Sequence, residues 1–147
     1  MIENSEVMKN VLNTLLKISS QKDIDINVIS TMGSLVKKLE EKYSFLKHIE
    51  IKDTRFLEAD NPITVMSDMN NVPPTEVGKA IHEIIFSMTA SIGRDAGFYF
   101  IKEIGHRIGE DCYTTIKDDM GVNLNLMQIE CNVSRMERRL TDRYKTD

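Results

Sequence analysis

The sequence is short of everything that usually announces a function. It has no tryptophan, two cysteines, three prolines and only 6% aromatic residues in 147. No apolar run reaches the roughly 18 residues a membrane span needs, so a transmembrane helix is excluded at the sequence level. No GxGxxG or GxxxxGK[ST] phosphate loop occurs, and no GxSxG, HExxH or SxxK catalytic signature. The cysteines, Cys112 and Cys131, are 19 apart and form no CxxC pair. The opening MIENSEVMKN is acidic and polar and carries no secretory pattern. The expectation is a cytoplasmic protein whose thiols are reduced.

Charge of one sign is also missing. The net charge is −4 and basic and acidic residues run nearly even along the chain. Only the last 17 residues tilt positive, with 5 basic against 3 acidic side chains. That is a weak electrostatic footprint, and it disfavours nucleic acid as a partner. The start at Pro73-Pro74-Thr75 has the outline of a helix-turn-helix approach, but Lys79 is the only Lys or Arg between Thr75 and Gly93.

What is present is helical periodicity. Met8, Val11, Leu15 and Ile18, widened by Leu12 and Leu16, predict a first helix capped by Ser5. Ile29, Met32, Val36, Leu39, Tyr43 and Leu46 follow at steps of 3 and 4, a heptad-like seam after a cap at Asp25. A short polar link joins the two, so residues 5–46 are expected to form a helical hairpin.

Residues 47–61 are irregular or extended. Lys47 to Lys52 alternates polar and apolar, the strand period, but one strand needs a partner. Asn61-Pro62 then predicts a short helix to about Met69. Thr75 is expected to cap a helix to Ile92, with Val77, Ala80, Ile81, Ile84, Ile85 and Met88 inward. A second long helix is expected from Arg94 to Asp118, striped by Ile101, Ile104, Ile108 and Cys112 and ended by Gly121 in the left-handed region. Leu126, Ile129, Val133, Met136 and Leu140 predict a last helix over 125–143, capped by Asn123 or Asn125. Together these elements predict an all-α bundle of five or six helices, a single domain in which residues 62–143 form a helical layer beside the hairpin.

Four constellations bear on function. Gly93, Gly97, Gly105 and Gly109 are spaced 4, 8 and 4 apart. Glycine costs roughly 1 kcal/mol against alanine inside a helix, so such spacing suggests close backbone approach within the chain or across a dimer. Glu103, His106 and Glu110 would share one face of an unbroken helix, two carboxylates and an imidazole that suit a divalent metal. They lie opposite the isoleucine stripe, no second ExxH exists, and plain surface pairing explains them as well. His82 could approach Cys112 or His106 as a ligand or nucleophile pair, against the simpler reading of a boundary histidine. The consecutive Phe98, Tyr99 and Phe100 cannot all face one core, so Phe98 and Phe100 with Met88 and Tyr113 could line an apolar ligand pocket between the two long helices. Central burial of the helix is the simpler reading.

The last helix also carries Arg135, Arg138, Arg139 and Arg143, interleaved with Glu137 and Asp142. They read as the solvated flank of a helix–helix seam, whose charges select partner and register. The expected function is therefore a non-enzymatic interaction or regulatory module. It would act as a homodimer that binds another protein, through the heptad-like seams of the second and the last helix (Leu126 to Leu140) and the glycine face, and would need no cofactor. Two other classes remain open: a small-ligand sensor using the apolar pocket, and a metal-dependent enzyme using Glu103, His106 and Glu110.

Overall fold

The computed structural model describes residues 3–19, 26–51, 63–92 and 100–130. Six helices and one small sheet make an all-α bundle: α1 (Asn4–Ser19), α2 (Ile26–Leu39), β1 (Ile49–Ile51), β2 (Ile63–Val65), α3 (Pro74–Ile92), α4 (Phe100–Arg107), α5 (Glu110–Thr114) and α6 over 124–130. Two 3₁₀ turns, Ser44–His48 and Ser67–Asn71, flank the sheet. No described helix is long and apolar enough to cross a membrane.

The centre of the bundle is α1. Val7, Met8, Val11, Leu12, Leu15 and Leu16 are fully buried, because α1 packs against α3, α4 and β2 together. The hairpin expected over 5–46 is looser than its periodicity suggests. The first two helices touch, but α2 leans chiefly on α3 and on the 3₁₀ turn and strand that follow it. The α2 seam faces this core: Ile29, Met32, Val36, Tyr43 and Leu46 are all buried within the chain. It is therefore not free for a second copy. Nor does α2 run on to Leu46; it ends at Leu39 and the seam continues through a turn and a 3₁₀ segment.

The start of α1 is held from outside. Ser5 is not the cap: it lies in the first turn, and its N–H donates to Oδ1 of Asn70 at 2.9 Å. Asn4 Nδ2 donates to the carbonyls of Met69 (3.2 Å) and Val72 (2.8 Å). A helix start leaves backbone N–H groups without intrahelical partners, and here a distant turn satisfies one of them.

The alternating segment does form a strand, and its partner lies in the same chain. The strands β1 and β2 pair antiparallel, with Ile49 opposite Val65 and Ile51 opposite Ile63. This overturns the short helix expected to follow Asn61-Pro62. Ile63-Thr64-Val65 is a β-branched run, which packs better on a pleated surface than in a helical turn. Asn61 and Pro62 themselves lie outside the described residues, as does Asp25.

In α3 the six expected inward residues are buried. Its cap is Pro73, not Thr75: the N–H groups of Glu76 and Val77 donate to the Pro73 carbonyl, and Pro74 occupies the first helical position. The long helix expected to Asp118 is broken. α4 stops at Arg107, and Gly109 has φ +90°, which no helical residue adopts. Ile101, Ile104, Ile108 and Cys112 are nonetheless all buried, so the stripe survives the break. One π-helical turn, Thr115–Asp119, leads to Gly121 at φ +77°, the left-handed stop the sequence indicates. Asn123 caps α6, its Oδ1 accepting from the Leu126 N–H at 3.0 Å.

Candidate functional site

The broken helix opens a groove of about 410 Å³ between α4, α5 and α6. Ile101, Gly105, Tyr113 and Leu124 make its apolar floor, with Lys102, His106, Glu110 and Asn125 along the rim. Its walls are fixed by a few named bonds. Asn10 Nδ2 on α1 donates to the Ile108 carbonyl at 2.7 Å, which satisfies an acceptor freed by the break. The Lys102 N–H donates to Oε1 of Gln128 at 3.1 Å, tying the start of α4 to α6. Asn125 Nδ2 donates to the Tyr113 hydroxyl at 3.4 Å. A Cβ on Gly105 would meet the Tyr113 ring at 3.4 Å and Leu124 at 3.6 Å, so the missing side chain leaves the floor open.

Of the four residues expected to line an apolar pocket, the side chains of two are described, and the groove takes in one of them. Tyr113 lines it, but Met88 is fully buried in the core and does not. Phe98 lies outside the described residues, and so does the Phe100 side chain. The metal trio is not brought together on one helix face either. Glu103 forms an ion pair with Arg107 at 2.8 Å, while His106 and Glu110 stand on opposite sides of the Gly109 turn. Among the described residues no three His, Cys, Asp or Glu side chains are grouped to hold a metal ion.

Of the four spaced glycines, Gly93 and Gly97 lie outside the described residues. Gly105 has only ordinary side-chain neighbours and Gly109 has open space around it. Among the described glycines the close backbone approach is at Gly78, where a Cβ would overlap the Met120 carbonyl oxygen. Gly78 was missed because it interrupts no pattern.

The seam of the last helix turns outward where it is described. Leu124 and Met127 of α6 are buried against the core, whereas Leu126 is 51% and Ile129 58% exposed. Two apolar faces on one short helix leave one of them without cover from the described residues. Val133, Met136 and Leu140, which continue the spacing, lie outside the described residues.

A second polar cluster lies at the middle of α3. The Glu83 carboxylate accepts from Lys42 Nζ and, at 3.1 Å, from the Tyr43 hydroxyl. The Lys42 hydrogen bond, chiefly, holds the Glu83 carboxyl below its ordinary value. Burial and then Glu83 push the Tyr43 hydroxyl up. His82 lines the small cavity beside this cluster, with Gly78, Met120 and Gly121. Cys112, on α5, is buried, and its thiol is pushed up to about 11 by burial against a weaker opposing hydrogen bond from Asn10. A thiol held protonated is a poor nucleophile, so nothing here activates a Cys–His pair.

No known family model, no curated protein and no solved structure matches this chain.

Proposed function

We propose that the chain is a non-enzymatic interaction module of the cytoplasm that self-associates through the outward seam of α6 and, as a homodimer, binds another protein. The observation that supports this reading is the exposure of Leu126 and Ile129 on a helix whose other face is already buried. Large contiguous apolar patches mark interaction sites, whereas scattered exposed apolar residues do not, so the weight rests on these two lying one turn apart on one face. A stable interface buries roughly 800 Å² per partner, which two half-exposed side chains do not supply. The spacing through Val133, Met136 and Leu140 offers the rest.

The test is native mass spectrometry of the wild type and of the double variant Leu126→Asp/Ile129→Asp. The wild type is expected as a dimer and the variant as a monomer with an unchanged circular dichroism spectrum. A monomeric wild type, or a dimer indifferent to the two charges, overturns the reading.

The groove favours a second reading, a sensor of a small apolar ligand. Its volume falls within the 300–1,000 Å³ usual for ligand sites, and its floor is apolar with a polar rim. Gly105→Phe would fill the floor. If an apolar ligand binds there, co-purified mass or a thermal shift is lost in that variant while the dimer persists.

A further inference from the structure

We propose that the cavity where α1, α3 and the π-helical turn meet binds an organic ammonium ion. It holds about 260 Å³, and Glu3, Asn4, Asn70, Thr115 and Asp119 line it beside an apolar wall at Met120. The observation that carries the site is Asn4. The residue lines the cavity yet is only 9% exposed. Both hydrogens of its Nδ2 are spent on the carbonyls of Met69 and Val72. No described residue donates to its Oδ1. A buried acceptor without a partner loses its hydration with nothing in return, so a donor belongs there. The rest of the lining offers acceptors too. The Thr115 hydroxyl donates to the Asp111 carbonyl at 2.8 Å, which leaves its lone pairs to accept. Asn70 Nδ2 donates to Oε2 of Glu3 at 3.2 Å, which leaves the other carboxylate oxygen. No described residue pairs with the Asp119 carboxylate.

Charge decides the sign of the occupant. Among the described residues no Lys, Arg or His lines the cavity. Both α1 and α3 start beside it, and a helix start carries about half a positive charge. Two such ends amount to about one positive charge against the two full negative charges of Glu3 and Asp119. The balance stays negative and favours a cation over an anion. The class of cation follows from the lining. Among the described residues no three His, Cys, Asp or Glu side chains are grouped to hold a metal ion. A primary ammonium supplies three donors, one for Asn4 Oδ1 and two for the carboxylates. Its carbon stem then lies on the apolar wall at Val72 and Met120. A free amine and a lysine side chain of a protein both present this group.

Titration of the full chain with butylammonium chloride, followed by NMR, tests the site. Saturable shifts are expected for the Asn4 side-chain amide and for the N–H groups of Asp119 and Met120. Sodium chloride at the same ionic strength and butanol should produce none. Asp119→Asn, which breaks no described side-chain hydrogen bond, should weaken binding about threefold, as expected of one exposed ion pair. Glu3→Gln/Asp119→Asn keeps an acceptor for Asn70 and should weaken it about tenfold, as expected of two. Nα-acetyl-lysine methylamide separates the sources: tighter binding than butylammonium puts the group on a protein side chain, and weaker binding assigns a free amine. No saturable shift with butylammonium overturns the proposal. So does the same response to sodium chloride, calcium chloride or butanol, or an affinity that the two variants leave unmoved.

Discussion

Gly78 on α3 lies directly against the backbone of Met120. A Cβ at Gly78 would stand 2.8 Å from the Met120 carbonyl carbon and overlap its oxygen. The obstacle is backbone, not a side chain that can swing away. It also sits between the π-turn and Gly121, where the chain turns into α6. Gly78→Ala should therefore cost about 1–3 kcal/mol, the usual penalty for overpacking a filled site. It outweighs the gain in helix propensity of about 1 kcal/mol. Urea unfolding at neutral pH reads this as a lower midpoint with an unchanged slope.

Gly33 is the control for that statement. It also lies inside a helix, on α2, but nothing would lie within 4 Å of its added Cβ. Gly33→Ala should raise stability by about 0.5–1 kcal/mol, since only propensity and unfolded-chain entropy change. Opposite shifts of the urea midpoint for the two variants are the expected result. Equal shifts would mean that the α3–Met120 contact is looser than described.

The contrast shows what periodicity can and cannot carry. Val77, Ala80, Ile81, Ile84, Ile85 and Met88 were legible as inward because burial repeats at the helical period. The break at Gly109 was not, because the stripe of Ile104, Ile108 and Cys112 keeps its spacing across it. Gly78 was silent because its neighbour comes from 42 residues away, at Met120. β2 was misread because Asn-Pro before a short apolar run signals a helix start as well as a turn. At the site, Tyr113 and the Leu126–Ile129 seam were legible as candidates. That Leu126 would point outward depends on how α6 docks, which no local pattern encodes.

The Cys112 thiol gives a pH prediction of definite sign. Its value is raised from 9.0 to about 11 in the folded chain by burial. Between those values the unfolded chain has lost a proton that the native chain keeps, so stability falls as pH rises. The contribution is complete below about pH 9 and is lost through about pH 11, amounting to about 3 kcal/mol at most. Urea midpoints at pH 8 and pH 10.5 should separate more for the wild type than for Cys112→Ala. The comparison belongs in a Cys131→Ser background, so that only one thiol titrates.

Glu83 acts at the other end of the scale. Lys42 and Tyr43 hold its carboxyl below the usual 4.5, so its contribution is present above that pH and fades as pH falls through the lowered value. Glu83→Gln keeps an acceptor for the Tyr43 hydroxyl but loses the charge that Lys42 meets. The variant should melt slightly lower at pH 7, by no more than an exposed ion pair supplies, because Lys42 is exposed. The difference should narrow as pH falls below 4.5 and close once the pH passes well below the lowered value. A gap that persists there would assign the effect to packing around Tyr43 instead of the charge.

Asn10 ties the central helix to the break that shapes the groove. Its amide donates to the Ile108 carbonyl at 2.7 Å, one residue before Gly109. Asn10→Ala removes the donor and leaves that carbonyl to find water, at a cost of about 1–2 kcal/mol. Asn10→Asp should be worse at pH 7, because it sets a carboxylate oxygen against a carbonyl oxygen. On acidification the protonated Asp regains an O–H that can donate to Ile108, so the two variants should converge or cross near pH 4. Denaturant unfolding at the two pH values reads the order. Hydrogen exchange of Tyr113, whose N–H donates to the Gly109 carbonyl at 2.9 Å, reads the local consequence. Faster exchange there in Asn10→Ala, with α3 unchanged, is expected if Asn10 holds the α4–α5 break. Uniform exchange across the bundle would instead make Asn10 one core contact among many, and the groove would owe its shape to Gly109 alone.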